Sequence, residues 1–216
     1  MLKKILIGLL VVVGGFFGFA AMQPDTYTVT RKIQIDAPPG VVFGHLNELK
    51  KFGEWNPWDR MDPTMKKTYG GKESGVGSTY AWEGNDKVGK GKMTITASEP
   101  DKKVAIDLEF IEPMSSKADT AFTVDGSAAP VTVAWTMKGH NNLMSKAVGV
   151  FMNMDKMLGA QFDEGLGNLK TLAEKAAKDA AAAPAPAVPP EGSPAPPAEG
   201  AAPPAPAPAE GAAKTP

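Results

Sequence analysis

Residues 27–36 alternate between apolar and polar positions. Tyr27, Val29, Ile33 and Ile35 share one parity and Thr28, Thr30, Lys32 and Gln34 the other, the pattern of a strand with one buried face. Arg31 falls on the apolar parity, so it either points a charge into a partly polar cavity or lies at an open edge where the charge stays solvated. The solvated edge is the expectation. Ala37, Pro38, Pro39 and Gly40 end this strand, and Val41, Val42, Phe43, Leu46 and Leu49 follow at helical spacing through Lys51, predicting a pair of short helices. Residues 52–63, FGEWNPWDRMDP, are dense in aromatic and turn-forming residues and read as a structured loop. The runs 66–69, 78–83, 88–98, 103–111, 117–124 and 131–138 then read as successive strands. Gly70-Gly71, Gly84-Asn85-Asp86, Pro100-Asp101, Glu112-Pro113 and Asp125-Gly126 separate them at the intervals of an antiparallel meander.

Beyond Asn141 the apolar period changes to 3.6. Ala147, Phe151, Met154, Leu158, Phe162, Leu166, Leu169 and Ala173 fall on one stripe, predicting a long amphipathic helix. No second sheet is available to cover the apolar face of the meander, so this helix must lie across it. The expected fold class is α+β, an antiparallel sheet closed by a long C-terminal helix.

The two ends of the chain follow different rules. From Ile5 to Met22 no side chain is charged, and Lys3 and Lys4 precede the run as a positive flank. The length sits near that of a membrane span and above that of a signal-peptide core, so residues 1–24 read as an anchor, with a cleaved signal segment as the alternative. An anchored chain would place its domain on the non-cytoplasmic side; a cleaved one would be secreted or periplasmic. Residues 179–216 are almost entirely Ala, Pro, Gly and Glu, too polar and too proline-rich to bury a core. They read as a disordered tail or spacer, with a protein partner for the proline-rich stretch as the sharper alternative. Residues 25–178 remain as one folded domain.

Composition narrows the chemistry. A formal net charge of -1 removes the electrostatic basis for nucleic-acid binding. The chain has no cysteine and two histidines, which excludes thiolate metal sites and disfavours a histidine-based zinc site. The ionisable groups His45, His140, Glu54, Asp59, Asp62, Glu73, Glu83 and Asp86 form no triad or metal spacing, so no catalytic residue, metal or cofactor is assigned. The glycines in GKESGVGS and VGKGKM lack the P-loop pattern and read as hairpin turns.

The segments IDAPPGVVFGHLNELKKFGEWNPW, DPTMKKTYGG, GVGSTYAWEGNDKVGKGKMTI, VTVAWTMKGH and GLGNLKTLAEK, in that order, resemble the superfamily of START-related domains, polyketide cyclases and birch-pollen-allergen-like proteins known as SRPBCC. The likeness spans residues 26–178 and is nearest to the bacterial polyketide-cyclase/dehydrase and lipid-transport branch, whose members often follow a membrane-spanning helix. It implies a helix-grip fold, in which a curved antiparallel sheet wraps the C-terminal helix around a hydrophobic cavity. On that implication Trp82, Met93, Phe110, Trp135 and Met137, on inward strand parities, and Phe151, Met154 and Leu158, on the helix stripe, are expected to line the cavity. Trp55 and Trp58 are expected near its mouth. Each is also an ordinary core candidate, and Asn56-Pro57 and Asp62-Pro63 have the chemistry of turns that simply fix the loop.

Three functions compete on this reading. The first is a membrane-tethered binding protein for a hydrophobic small molecule or lipid. The second is a cyclase- or dehydratase-like enzyme, in which Glu83 or His140 would serve as acid or base. The third is a non-catalytic interaction module whose cavity is filled by its own side chains.

Overall fold

The computed structural model of the chain describes residues 1–141, 143–150 and 153–182. Phe151, one of the expected lining residues, and the proline-rich stretch from 183 onward lie outside the described residues.

Helix α1 (Leu2–Ala21) is almost wholly exposed, with a mean hydropathy of 2.2. It is long and apolar enough to cross a membrane, a test that a signal sequence also passes. Strand β1 (Thr26–Ile35) leads to α2 (Pro39–Leu46), whose early proline supplies a preset φ where a backbone donor would be unused. Then come α3 (Leu49–Trp55) and a single turn, α4 (Trp58–Met61). The region read as one structured loop thus holds the end of one helix and all of another, separated at Asn56-Pro57.

The meander is β2 (Lys66–Gly71), β3 (Ser78–Glu83), β4 (Lys90–Glu99), β5 (Lys103–Glu112), β6 (Ser116–Asp125) and β7 (Val131–His140). With β1 these strands build one seven-stranded sheet in the order β1-β7-β6-β5-β4-β3-β2, with every neighbouring pair antiparallel. Of the glycines of VGKGKM, Gly89, at φ +68°, does turn the chain and approaches the Glu112 carbonyl so closely that a Cβ would sit 2.3 Å from its oxygen, whereas Gly91 is no turn but lies within β4, paired with Trp82 and Phe110.

The C-terminal stripe is divided between two helices. Helix α5 (Leu143–Gly149) stops at glycine, and α6 (Met154–Ala182) starts where the Asn153 side chain accepts a hydrogen bond from the Lys156 amide at 2.9 Å. Apolar periodicity continues across the break, so the stripe alone did not reveal it. At the far end α6 runs through the alanines to Ala182, which favour helix despite burying little.

Helix α6 presses Phe162, Leu166, Leu169 and Ala173 onto the β1 side of the sheet. Two devices fix its position. Near its C-terminal half, Lys170 donates to the Gln34 carbonyl at 2.8 Å and Glu174 accepts from the Asp36 amide at 2.9 Å. Near its start, Arg31 reaches from edge strand β1 to Asp155 at 2.9 and 3.0 Å and to Asp163 at 3.3 Å. The guanidinium lies over Gly159, where a Cβ would come within 1.9 Å of it. Asp155, Gly159 and Asp163 are four residues apart on one helix face, so the helix offers a carboxylate, a gap and a second carboxylate. Arg31 therefore lies at the open edge, as expected, but bound to α6.

Candidate functional site

The cross-strand register sorts the inward face into rows. One end of the sheet carries Ile35 beside Val131, then Ile33, Val133 and Val124. These side chains are small or β-branched, and the C-terminal half of α6 lies near them. Towards the other end the rows read Trp135, Phe122 and Val104, then Met137, Thr120 and Ile106, then Leu108, Met93 and Tyr80, and finally Phe110, Gly91 and Trp82. Here a cavity of about 350 Å³ opens between the sheet, α3, α4 and the beginning of α6.

Seven of the expected residues line it: Trp58, Trp82, Met93, Phe110, Trp135, Met137 and Leu158. Trp55 stands behind the wall, fully buried, edge-on to Phe52, Phe122 and Trp135, and donates to the His45 carbonyl at 3.3 Å. Met154 begins α6, half-buried and away from the lining. Sequence reasoning missed Phe52, Met65, Tyr80, Ile106, Leu108, Thr120 and Phe122, which also face the cavity. Most share a strand parity with residues that were named, so the signal was present. Phe52 and Met65 lie outside the strands and had none.

The inner wall depends on close approaches. The Trp82 ring lies along Gly91, where a Cβ would fall 2.3 Å from the indole, and its Nε1 donates to the Val88 carbonyl at 3.3 Å. Trp135 stacks on Phe162 with centroids 4.1 Å apart and planes 4° from parallel, and Gly165 leaves room for it.

The rim is polar and tied by turn chemistry. Asn56 accepts from the Asp59 amide at 3.1 Å and donates to the Phe52 carbonyl at 3.1 Å. Lys67 pairs with Asp59. Asp62 accepts from the Thr64 hydroxyl at 2.7 Å and from the Asn85 amide at 2.7 Å, joining the α4 loop to the β3–β4 turn. These bonds, the Thr64 hydroxyl foremost, hold the Asp62 carboxyl below the usual carboxylate range. Asp86, Lys87 and Glu112 complete the rim from exposed positions.

Chemically, the site is an apolar enclosure with few reactive groups. Glu83 and His140 are exposed and absent from the lining, and His45 is half-buried elsewhere. Tyr80 does face the cavity, stacked between Tyr69 and Trp82. Burial, aided by the Asp59 charge, pushes its hydroxyl pKa up, so it stays protonated. Among the described residues no group of His, Asp and Glu is arranged to hold a metal.

Residues 26–174 match the family model described as polyketide cyclase / dehydrase and lipid transport. Similar solved structures include a protein from Chromobacterium violaceum, 13% identical, with a TM-score of 0.50 over 70% of this chain and 99% of that one. Two di-domain ARO/CYC proteins are also similar: StfQ of the steffimycin biosynthetic pathway and BexL of the BE-7585A pathway. StfQ is 8% identical, with a TM-score of 0.50 over 71% of this chain and 52% of its own. BexL is 12% identical, with a TM-score of 0.50 over 72% of this chain and 52% of its own. The chain thus spans about half the length of these two, and at such identities the likeness is one of fold. Comparison with curated protein sequences finds no match.

Proposed function

Because this chain belongs to the polyketide cyclase / dehydrase and lipid transport family, we propose that it binds a hydrophobic small molecule or lipid in the cavity under the sheet while α1 holds it at a membrane. The observation that carries this reading is a space of about 350 Å³ walled by tryptophan, phenylalanine, methionine and leucine. Ligand pockets typically occupy about 300–1,000 Å³, and methionine and aromatic walls adapt to irregular apolar shapes. A module filled by its own side chains would have no such space.

The position of the anchor supports the membrane half of the proposal. The C-terminal end of α1 meets α5, where Lys146 donates to the Ala21 carbonyl at 3.2 Å and to Asp25 at 2.5 Å. From α5, Ser145 reaches the cavity lining, while Leu143, Met144 and Val148 are exposed; Met114 on the rim is both exposed and lining. The entrance would then open beside the anchor, where an apolar ligand could leave lipid without crossing water. Lys3 and Lys4 before the apolar run favour a domain on the non-cytoplasmic side.

An enzymatic reading has one supporting observation, the protonated Tyr80 hydroxyl at the wall, which could donate a hydrogen bond to a substrate. A cyclase or dehydratase also needs a base, and of the lining carboxylates Asp59 is already bound to Lys67 and Asn56 while Asp86 and Glu112 stand at the exposed rim. Binding without turnover fits this arrangement better. The test is displacement of an environment-sensitive apolar dye from the full chain, with Leu108→Arg as comparison. Saturable dye binding that Leu108→Arg abolishes while the sheet's circular dichroism persists supports the proposal. No saturable binding to the unaltered chain refutes it.

A further inference from the structure

Helix α1 is joined stiffly to the domain. Only residues 22–25 separate it from β1, and it packs against α5. Besides the Lys146 bonds to Ala21 and Asp25, the Asn141 amide donates to the Asp25 carbonyl at 2.8 Å and the Asn141 side chain to the Pro24 carbonyl at 3.1 Å. A 20-residue helix is about 30 Å long, the thickness of a bilayer's hydrocarbon core, so Ala21 of a spanning α1 lies at the headgroup boundary. Bonded to that residue, α5 lies at the same depth.

The β5–β6 turn shares this end of the sheet. Thr26 pairs with His140, Gly139 with Ala118, and Phe110 with Ser116, which carries the ladder from the α1 junction to residues 113–115. Ser145 of α5 and Pro113, Met114 and Ser115 of the turn line the same cavity, so the two segments flank its mouth. Both turn apolar side chains outward. Leu143 is 50%, Met144 53% and Met114 48% exposed, and Ile111, Val148 and Val150 are exposed beside them. Within α5, Met144 and Val148 are four residues apart on one face, while Lys146 is turned to α1 and Ala147 is buried. The charges flanking the turn are paired within the sheet, Glu112 with Lys90 and Lys117 with Glu109, so what this end offers is apolar area rather than an unmatched charge.

Resting on the anchor reading above, we infer that α5 and the β5–β6 turn form a second membrane contact. They enter the interfacial layer of the leaflet at which α1 ends, and the cavity mouth between them opens into lipid. The stiff junction sets the occupant of this surface, because residues bonded to the end of a spanning helix meet the bilayer before any soluble partner. A helix lying in the interface sinks its apolar face about 5–10 Å, enough to cover the side chains of Met144 and Val148. Neutral lipid suffices for such a contact.

The chain has no cysteine, so one introduced thiol carries a single bimane label. The full chain is reconstituted in phosphatidylcholine vesicles with and without bromine on the acyl chains, with Met114→Cys, Met144→Cys, Val12→Cys in α1 or Val76→Cys labelled. Val76 is an exposed apolar residue in the β2–β3 turn, at the opposite end of the sheet, and separates position from apolar character. Labels at Met114 and Met144, carried about 5–10 Å into the interface, are expected to lose emission about 2-fold or more in brominated vesicles, with Val12 quenched as well and Val76 unchanged. Quenching at Val12 without quenching at Met114 and Met144 overturns the inference and leaves α1 an anchor, the exposed face then meeting water or another protein. Quenching at Met144 alone also overturns it, since the turn would then stand clear of the membrane. An unquenched Val12 label overturns the anchor reading and this inference with it.

Discussion

The two ends of the sheet's inner face share one strand parity and one hydrophobic pattern, yet one is solid and the other hollow. At the solid end Ile35, Val131 and Val133 are fully buried, in the part of the sheet that Lys170 and Glu174 clamp to the C-terminal half of α6. At the hollow end Met137 follows Val131 and Val133 along β7, and Met93 on β4 with Leu108 and Phe110 on β5 continue the same inner face, around about 350 Å³ of space. The difference lies in side-chain type and in the cover. β-branched residues pack into regular layers against a helix, whereas long flexible and aromatic residues roofed by short helices and turns leave a gap. Burial alone therefore does not distinguish core from site; what each side chain meets on its far side does.

Truncation should break the comparison most sharply. Leu169→Ala, in the solid end, is expected to cost about 2–5 kcal/mol, because it adds a cavity to the lost transfer energy. Leu108→Ala, which enlarges a cavity already present, should cost no more than about 2 kcal/mol, the transfer contribution alone. Urea unfolding of both variants measures the contrast, and equal losses would mean that the hollow end is packed in solution.

A second contrast lies within α6. A Cβ on Gly165 would meet the Trp135 ring at 2.9 Å and Pro57 at 3.3 Å, whereas one on Gly167 would meet nothing within 4 Å. Gly165→Ala should destabilise by about 1–3 kcal/mol through overpacking against the cavity wall. Gly167→Ala should stabilise by about 0.5–1 kcal/mol through helix propensity. Thermal unfolding of the pair gives opposite signs if the wall is placed as described.

The smallest effect is one of pH. Asp62 at the rim is held low by the Thr64 hydroxyl and the Asn85 amide, and Glu174 at the solid end by Lys170 and the Asp36 amide. A carboxyl whose folded pKa is depressed contributes stability that is complete above its unfolded value, about pH 4, and lost as pH falls through the folded value. Asp62→Asn should therefore flatten the acid limb of dye binding between about pH 5 and pH 3, whereas Glu174→Gln should flatten that of global unfolding alone. Identical acid profiles for the two variants would join what the comparison separates.

Much of this was legible in the sequence. Period-two alternation located most of the strands to within a few residues, because each has one wet and one dry face, whereas β2 is exposed along its whole length. Helical period located α6, and the tryptophans and methionines of the wall stood out by type. The hollow did not, since an inward leucine reads the same against a helix or against a void. Thr120 was overlooked because a lone polar residue on an inward parity looks like an interruption, and its meaning depends on the space it faces. The α5–α6 break was hidden by apolar residues on both sides, and Trp55 was assigned to the mouth when its bond to His45 turns it into the core behind. The Arg31 clamp was written in the Asp155, Gly159, Asp163 spacing, but no rule linked that spacing to a residue more than a hundred positions away.

The most direct test of the central claim is native mass spectrometry with lipid extraction of the full chain, purified gently from its own host and compared with the Leu108→Arg variant. The account predicts a stoichiometric apolar molecule, present in the unaltered protein and absent from the folded variant. A chain that emerges empty and takes up no apolar compound offered to it would contradict the account.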